Sequence, residues 1–212
     1  MESILANARE VFDRHSGWIV WNLFLAFIPL ILSFWLFRRR RISHTLPWWL
    51  LFIVFIAFLP NAPYLLTDII HLLRAIRAGY SAWIITLIFI PLHTFAILAG
   101  LEAYVISLLN QGHYLKRVGA KQFVLGAELL AHVLCAIGIY LGRFKRFNSW
   151  DLITQPGAVL LDTLNQLTSK RPLAVTIMIF VIITVTYWLT KQVTIGVILR
   201  IRQLRQGEEE PL

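Results

Sequence analysis

Stretches of about twenty apolar residues without a charge recur along this 212-residue chain, and no other feature constrains its fold as tightly. A helix rises about 1.5 Å per residue, so twenty residues cover the roughly 30 Å of a bilayer's hydrocarbon. Inside lipid each backbone amide and carbonyl needs a partner, and stretches of this length find it within a helix. The composition agrees, with 58% hydrophobic and 15% charged residues against roughly half and a quarter in soluble domains. The expected fold is all-α, a polytopic transmembrane bundle in one integral membrane domain. A soluble enzyme, a secreted disulfide scaffold and a disordered chain are excluded. Cys135 is the only cysteine and lies inside an apolar block, so it forms no intrachain disulfide and reads as packing.

The blocks predict five spans, at about 18–37, 46–60, 82–109, 123–142 and 173–190. The second is short and ends at Pro60-Asn61-Ala62-Pro63, where two prolines bar a regular helix. Residues 63–78 then form an amphipathic pattern with Asp68, His71, Arg74 and Arg77, which suits the membrane interface better than a crossing at about 2.5 to 3.5 kcal/mol per mid-membrane charge. Asn61 and Pro63 suit its start, as a cap and an early-turn proline. The third span is long enough to need a tilt or a kink at Pro91. Its short link to the fourth makes the two an antiparallel hairpin. A loop over 143–172 carries a second amphipathic stretch at 158–167, and a basic then acidic tail fills 191–212, its part from Lys191 to Arg205 prolonging the last helix towards anionic lipid.

The net charge of +9 sits beside the apolar blocks, where it signals topology and contact with the bilayer's anionic lipids rather than with nucleic acid. The first block has mixed charges before it and no small-residue cleavage site after it, so it reads as a retained anchor. With the N-terminus outside and the C-terminus inside, the arginine run Arg38 to Arg41 stays cytoplasmic. A six-crossing alternative distributes the basic charge no differently.

Two stretches carry a resemblance: Leu59-Pro60-Asn61-Ala62-Pro63-Tyr64-Leu65-Leu66-Thr67-Asp68-Ile69-Ile70-His71-Leu72, and Gly138-Ile139-Tyr140-Leu141-Gly142-Arg143-Phe144-Lys145-Arg146-Phe147-Asn148-Ser149-Trp150-Asp151. Together they resemble an uncharacterised bacterial multi-pass membrane family, domain of unknown function 1361, over nearly the whole chain. The resemblance implies a multi-pass protein of the bacterial cytoplasmic membrane and carries across no activity, cofactor or partner.

Polar residues at membrane depth are expensive unless they face protein or water. Glu102 in the third span and Glu128 in the fourth lie at similar depths from their connector, so the two carboxylates can meet. His132 follows Glu128 by one helical turn on the same face, and Ala131, Gly138 and Gly142 make a small stripe for close packing. Two adjacent carboxylates in low dielectric cannot both ionise cheaply. Glu102, Glu128 and His132 are therefore candidates for a proton or ion relay. The same groups also suit plain hydrogen bonding between helices, or a weakly specified metal site.

A second cluster is expected at the opposite face, gathering His93, Tyr140, Arg143, Arg146, Asn148 and Asp151 with Asn61, Asp68 and His71. The arginines can fork onto an anionic head group while Phe144, Phe147 and Trp150 sit at the interface. The plainer reading is a snorkelling basic rim, with Asn148 and Asp151 forming a capping-box-like pair. Ser149 lacks a base at fixed spacing, and Cys135 has only His132 near it, so no residue is assigned as catalytic. No cofactor or metal ligand set is called for.

The sequence thus points to a membrane protein of small-molecule or ion transport, or of lipid interaction in the envelope. An intramembrane enzyme acting on lipid and an accessory subunit of a membrane complex stand as alternatives. Five spans without an inverted repeat would need a homo-oligomer or another membrane partner to enclose a path.

Overall fold

The structure, a computed structural model, describes residues 2–39 and 44–206, all of whose regular elements are helical. The expected cytoplasmic residues Arg40 and Arg41 and the acidic end at Glu208 to Glu210 lie outside the described residues. Five runs are long and apolar enough to cross a membrane: Gly17–Phe37, Leu46–Arg77, Ala82–Arg117, Lys121–Lys145 and Lys170–Gln206. The protein is an all-α, multi-pass membrane bundle. Its first helix, α1 (Glu2–Phe37), is followed by α2 (Leu46–Phe58), α3 (Asn61–Tyr64) and α4 (Ile69–Arg77). Next come α5 (Ala82–Ile84), α6 (Ile90–Arg117), α7 (Val124–Tyr140), α8 (Asp151–Thr154), α9 (Pro156–Thr168) and α10 (Lys170–Gln206).

The second span differs from expectation in a physically simple way. Pro60 and Pro63 cannot donate to a helical ladder, yet Pro60 keeps right-handed helical angles, φ −60° and ψ −24°. The chain therefore continues through tighter turns rather than stopping. The Ala62 amide bonds to the Leu59 carbonyl at 3.2 Å and the Tyr64 amide to the Pro60 carbonyl at 3.0 Å. The Phe58 carbonyl, left without its usual partner, accepts from the Asn61 side-chain amide at 2.9 Å. Asn61 is thus not a helix cap, and the 63–78 segment is the bent continuation of span two through a 3₁₀ turn at Leu65–Asp68. Only its end, α4, keeps an exposed apolar row of Ile69, Leu73 and Ile76.

Pro91 acts similarly in span three. A widened π turn at Ile85–Phe89 precedes it, absorbing the missing amide before α6 runs on regularly. The fifth helix runs on past the apolar block, as expected, but Lys191 and Thr194 on that stretch meet carboxylates of other helices rather than the lipid surface alone.

Helix α6 is the hub, packing against α1, α3, α7 and α10, while α2 lies on α1 and α7 on α10. The bent segment α3 wedges between α1, α6 and α7. Two glycines make room for it. A Cβ on Gly138 would lie 2.8 Å from Pro60, and one on Gly100 would lie 2.7 Å from the Ala62 carbonyl oxygen. Since apolar burial drives little helix association inside lipid, such close backbone contact does much of the holding.

Candidate functional site

The ends of α1, span two, α6 and α7 converge at one face of the bundle, and Asp68 is their anchor. Its carboxylate is only 2% exposed, so it must be fully partnered to stay charged. Arg143 Nη2 donates to Oδ1 at 2.5 Å and Asn22 Nδ2 to Oδ2 at 2.9 Å. The same guanidinium donates to the Thr67 hydroxyl and lies 4.4 Å over the Tyr64 ring. His71 sits 3.9 Å from Asp68 and stacks on Trp18 at 4.1 Å. His93 is buried with its ring 5.5 Å from that of Trp18 and its Nδ1 2.7 Å from the Phe89 carbonyl oxygen. Asn61, Asp68, His71, His93 and Arg143 therefore lie at this face of the bundle. Tyr140 instead stacks on Phe144 at 4.9 Å.

The two arginines of the basic motif have different surroundings. Arg143 is fully engaged by Asp68, Thr67 and Tyr64. The Arg146 side chain is exposed, and its guanidinium has no hydrogen-bond or ion-pair partner among the described residues. Its backbone is unusual, with φ 61° and ψ 28°, and it is the only non-glycine residue with positive φ among those described. The position closes the end of α7: the Arg146 amide and the Phe147 amide both reach the Leu141 carbonyl. Such a left-handed cap is ordinarily glycine, because a Cβ there costs roughly 1 to 2 kcal/mol.

Arg146 stands at the mouth of a cavity of about 900 Å³. Trp21 and Leu25 of α1, Phe52 and Ile56 of α2, and Leu134 and Ile137 of α7 form its apolar walls. Asn61, Asn148 and Ser149 join Arg146 at the polar end, and Val159 and Thr163 of α9 contribute to the lining. Asn61 Nδ2 also donates to Ser149 Oγ at 2.9 Å, tying the bend of span two to the basic loop. The loop is shaped by Asp151, whose Oδ2 accepts from the Asn148 amide at 2.6 Å, one half of a capping box. Among the described residues, no acidic side chain lines the cavity. From Leu134 to Arg146 the chain rises about 18 Å, slightly more than half a bilayer's hydrocarbon thickness.

The other cluster lies deeper. Glu128 and Glu102 are both drawn to α10, where each meets its own partner. Lys191 Nζ is 2.6 Å from Glu128 Oε1, and the Thr194 hydroxyl lies 2.9 Å from Glu102 Oε2. His132 Nδ1 is 2.7 Å from the Tyr104 hydroxyl, and its ring packs edge-on to Tyr187 at 4.7 Å. Cys135 is buried in the surrounding core. Among the described residues no three His, Cys, Asp or Glu side chains are placed to hold a metal ion.

Lys191, Thr194, Tyr104 and Tyr187 were not singled out from sequence. The first two follow the apolar block, and the aromatic pair looks like ordinary core. The signal for Lys191 was available, since it falls one turn after Tyr187 and one before Ile195 on a continuous helical pattern. At the opposite end of the bundle, Arg38 Nε donates to Asn110 Oδ1 at 2.8 Å, whose Nδ2 donates to Ser33 Oγ at 2.9 Å. This relay joins α1 to α6 where the arginine run begins.

Comparison with curated proteins and with solved structures finds no match. A family described as "Protein of unknown function (DUF1361)" matches residues 21–185, a stretch that holds Asp68, Arg143, Arg146 and every residue lining the cavity. The chain belongs to that DUF1361 family.

Proposed function

We propose that this protein binds an anionic amphiphile of the membrane, its tail in the apolar cleft between α1, α2 and α7 and its head group on Arg146. The observation that carries the reading is the unpartnered guanidinium held on a left-handed backbone at the mouth of that cleft. Backbone strain retained by a bulky residue, where glycine would relieve it, marks a position kept for its side chain. The cleft has the form of a lipid site, concave and mostly apolar with a few polar groups at one end. Its length suits the tail of a lipid in one leaflet. In the bacterial cytoplasmic membrane, with the N-terminus outside and the C-terminus inside, that leaflet is the outer one.

Transport along Glu102, Glu128 and His132 has less support, because each of the three already has a fixed partner. The Glu128–Lys191 pair reads better as a lock between α7 and α10. An enzymatic reading has less support, because among the described residues the Ser149 oxygen accepts from Asn61 and is hydrogen-bonded to no carboxylate or imidazole.

Lipid extraction from protein purified out of native membranes tests the proposal. Wild type is expected to retain anionic lipid through size exclusion, and Arg146→Ala to retain about tenfold less, a difference of about 1.4 kcal/mol. Equal lipid content in the two proteins removes the proposal.

A further inference from the structure

We infer that the occupant of the cleft is a phosphodiester monoanion with a hydroxylated head, of the phosphatidylglycerol kind. This rests on the amphiphile reading above and narrows it to one class of lipid. Charge narrows the head group first. Among the described residues, Arg146 is the only charged side chain lining the cavity. The neighbouring cations are already neutralised, Arg143 by Asp68 at 2.5 Å and Lys145 by Asp162 at 3.0 Å. One positive charge matches one negative charge. A phosphate monoester, at about −1.5 to −2, carries more negative charge than this one guanidinium balances. No lining carboxylate is present to receive the ammonium of a zwitterionic head.

Hydrogen bonding at the polar end narrows it further. The side-chain amide nitrogen of Asn61 is used twice, toward the Phe58 carbonyl and the Ser149 hydroxyl. Among the described residues its Oδ1 then has no donor, and the Ser149 hydroxyl keeps its own hydrogen to give. The polar end of the cleft thus offers both an acceptor and a donor beside the arginine. An ionised phosphate only accepts, so it answers Arg146 and Ser149 but not Asn61. A hydroxyl donates and accepts at once and answers both. A head that carries hydroxyls next to a singly charged phosphate satisfies every one of these groups.

The test equilibrates purified, delipidated protein with vesicles of equal parts phosphatidylglycerol, phosphatidic acid and phosphatidylcholine with the same acyl chains. Bound lipid is then counted after repurification. The expected result is about tenfold enrichment of phosphatidylglycerol over each of the others. Arg146→Gln should bring all three to parity, and Arg146→Lys should keep part of the preference. Asn61→Ala and Ser149→Ala should lower the ratio of phosphatidylglycerol to phosphatidic acid while leaving the preference for anions over phosphatidylcholine. Their thermal unfolding, read in parallel, confirms that each variant is folded.

Retention that depends on Arg146 but favours phosphatidic acid equally or more overturns this inference and leaves the amphiphile reading standing. Retention of all three lipids alike by wild type, or unchanged in Arg146→Gln, overturns both. A final arm adds a water-soluble glycerophosphodiester without acyl chains. No displacement at millimolar concentration is expected, and efficient displacement would mean the site takes a soluble phosphodiester rather than a lipid.

Discussion

Arg146 holds a backbone conformation that glycine adopts without steric cost, and this separates its side chain's work from its backbone's. Arg146→Gly and Arg146→Ala both remove the guanidinium, but only the alanine keeps the Cβ in the left-handed region. Arg146→Gly should be more stable than Arg146→Ala by about 1 kcal/mol in thermal unfolding, with both losing bound lipid alike. Asp68 makes a different demand. It is buried and multiply bonded, so Asp68→Ala should destabilise by about 3 kcal/mol or more by stranding Arg143 in a half-buried site. Because the two residues share one network, Asp68→Asn combined with Arg143→Gln should cost less than the sum of the single changes, as a double-mutant cycle would show. The sequence made both arginines visible as one basic motif, but the separation of their roles depends on which one the bend of span two reaches. That is a matter of register in three dimensions, which spacing along the chain does not carry.

At the level of helices, the long apolar blocks were readable because their length is imposed by the bilayer, and the family stretches were readable as motifs. Two elements were not. Prolines at 60 and 63 argue for a stop, yet tight turns and one backward hydrogen bond from Asn61 let the helix bend instead of ending. Lys191 reads as a lipid-facing cation on the prolonged end of the last helix, yet a glutamate on another helix pairs with it, a compensation that hydropathy along one segment cannot register. Lys191→Met alone should therefore weaken the α7–α10 contact by about 3 kcal/mol, while the double change with Glu128→Gln should return to within about 1 kcal/mol of wild type in detergent unfolding. Close packing gives a second check. Gly138→Ala drives a methyl into Pro60 and should destabilise by about 1 to 3 kcal/mol. Gly126→Ala, on the same helix with nothing within 4 Å, should be neutral or slightly stabilising.

For the molecule as a whole, five crossings place the α6–α7 turn and the loop before α9 on opposite sides. Val118→Cys and Gln155→Cys should therefore label from opposite faces of intact cells, and in the proposed orientation Gln155→Cys is the one reached from outside. The native Cys135 is buried and should stay silent. Labelling of both from one face would refute the layout. The bond between Asp68 and Arg143 spans 75 positions of sequence, and this has a consequence for how the protein is made. During synthesis at about 5 to 20 residues per second, Asp68 enters the membrane roughly 4 to 15 s before its counterion leaves the ribosome. For that interval the second hydrophobic segment carries an unbalanced carboxylate and cannot settle in lipid by itself. It must wait at the insertion machinery until the fourth segment arrives, so a nascent chain that ends before Arg143 should be cleared by proteolysis rather than accumulate as a stable three-span fragment.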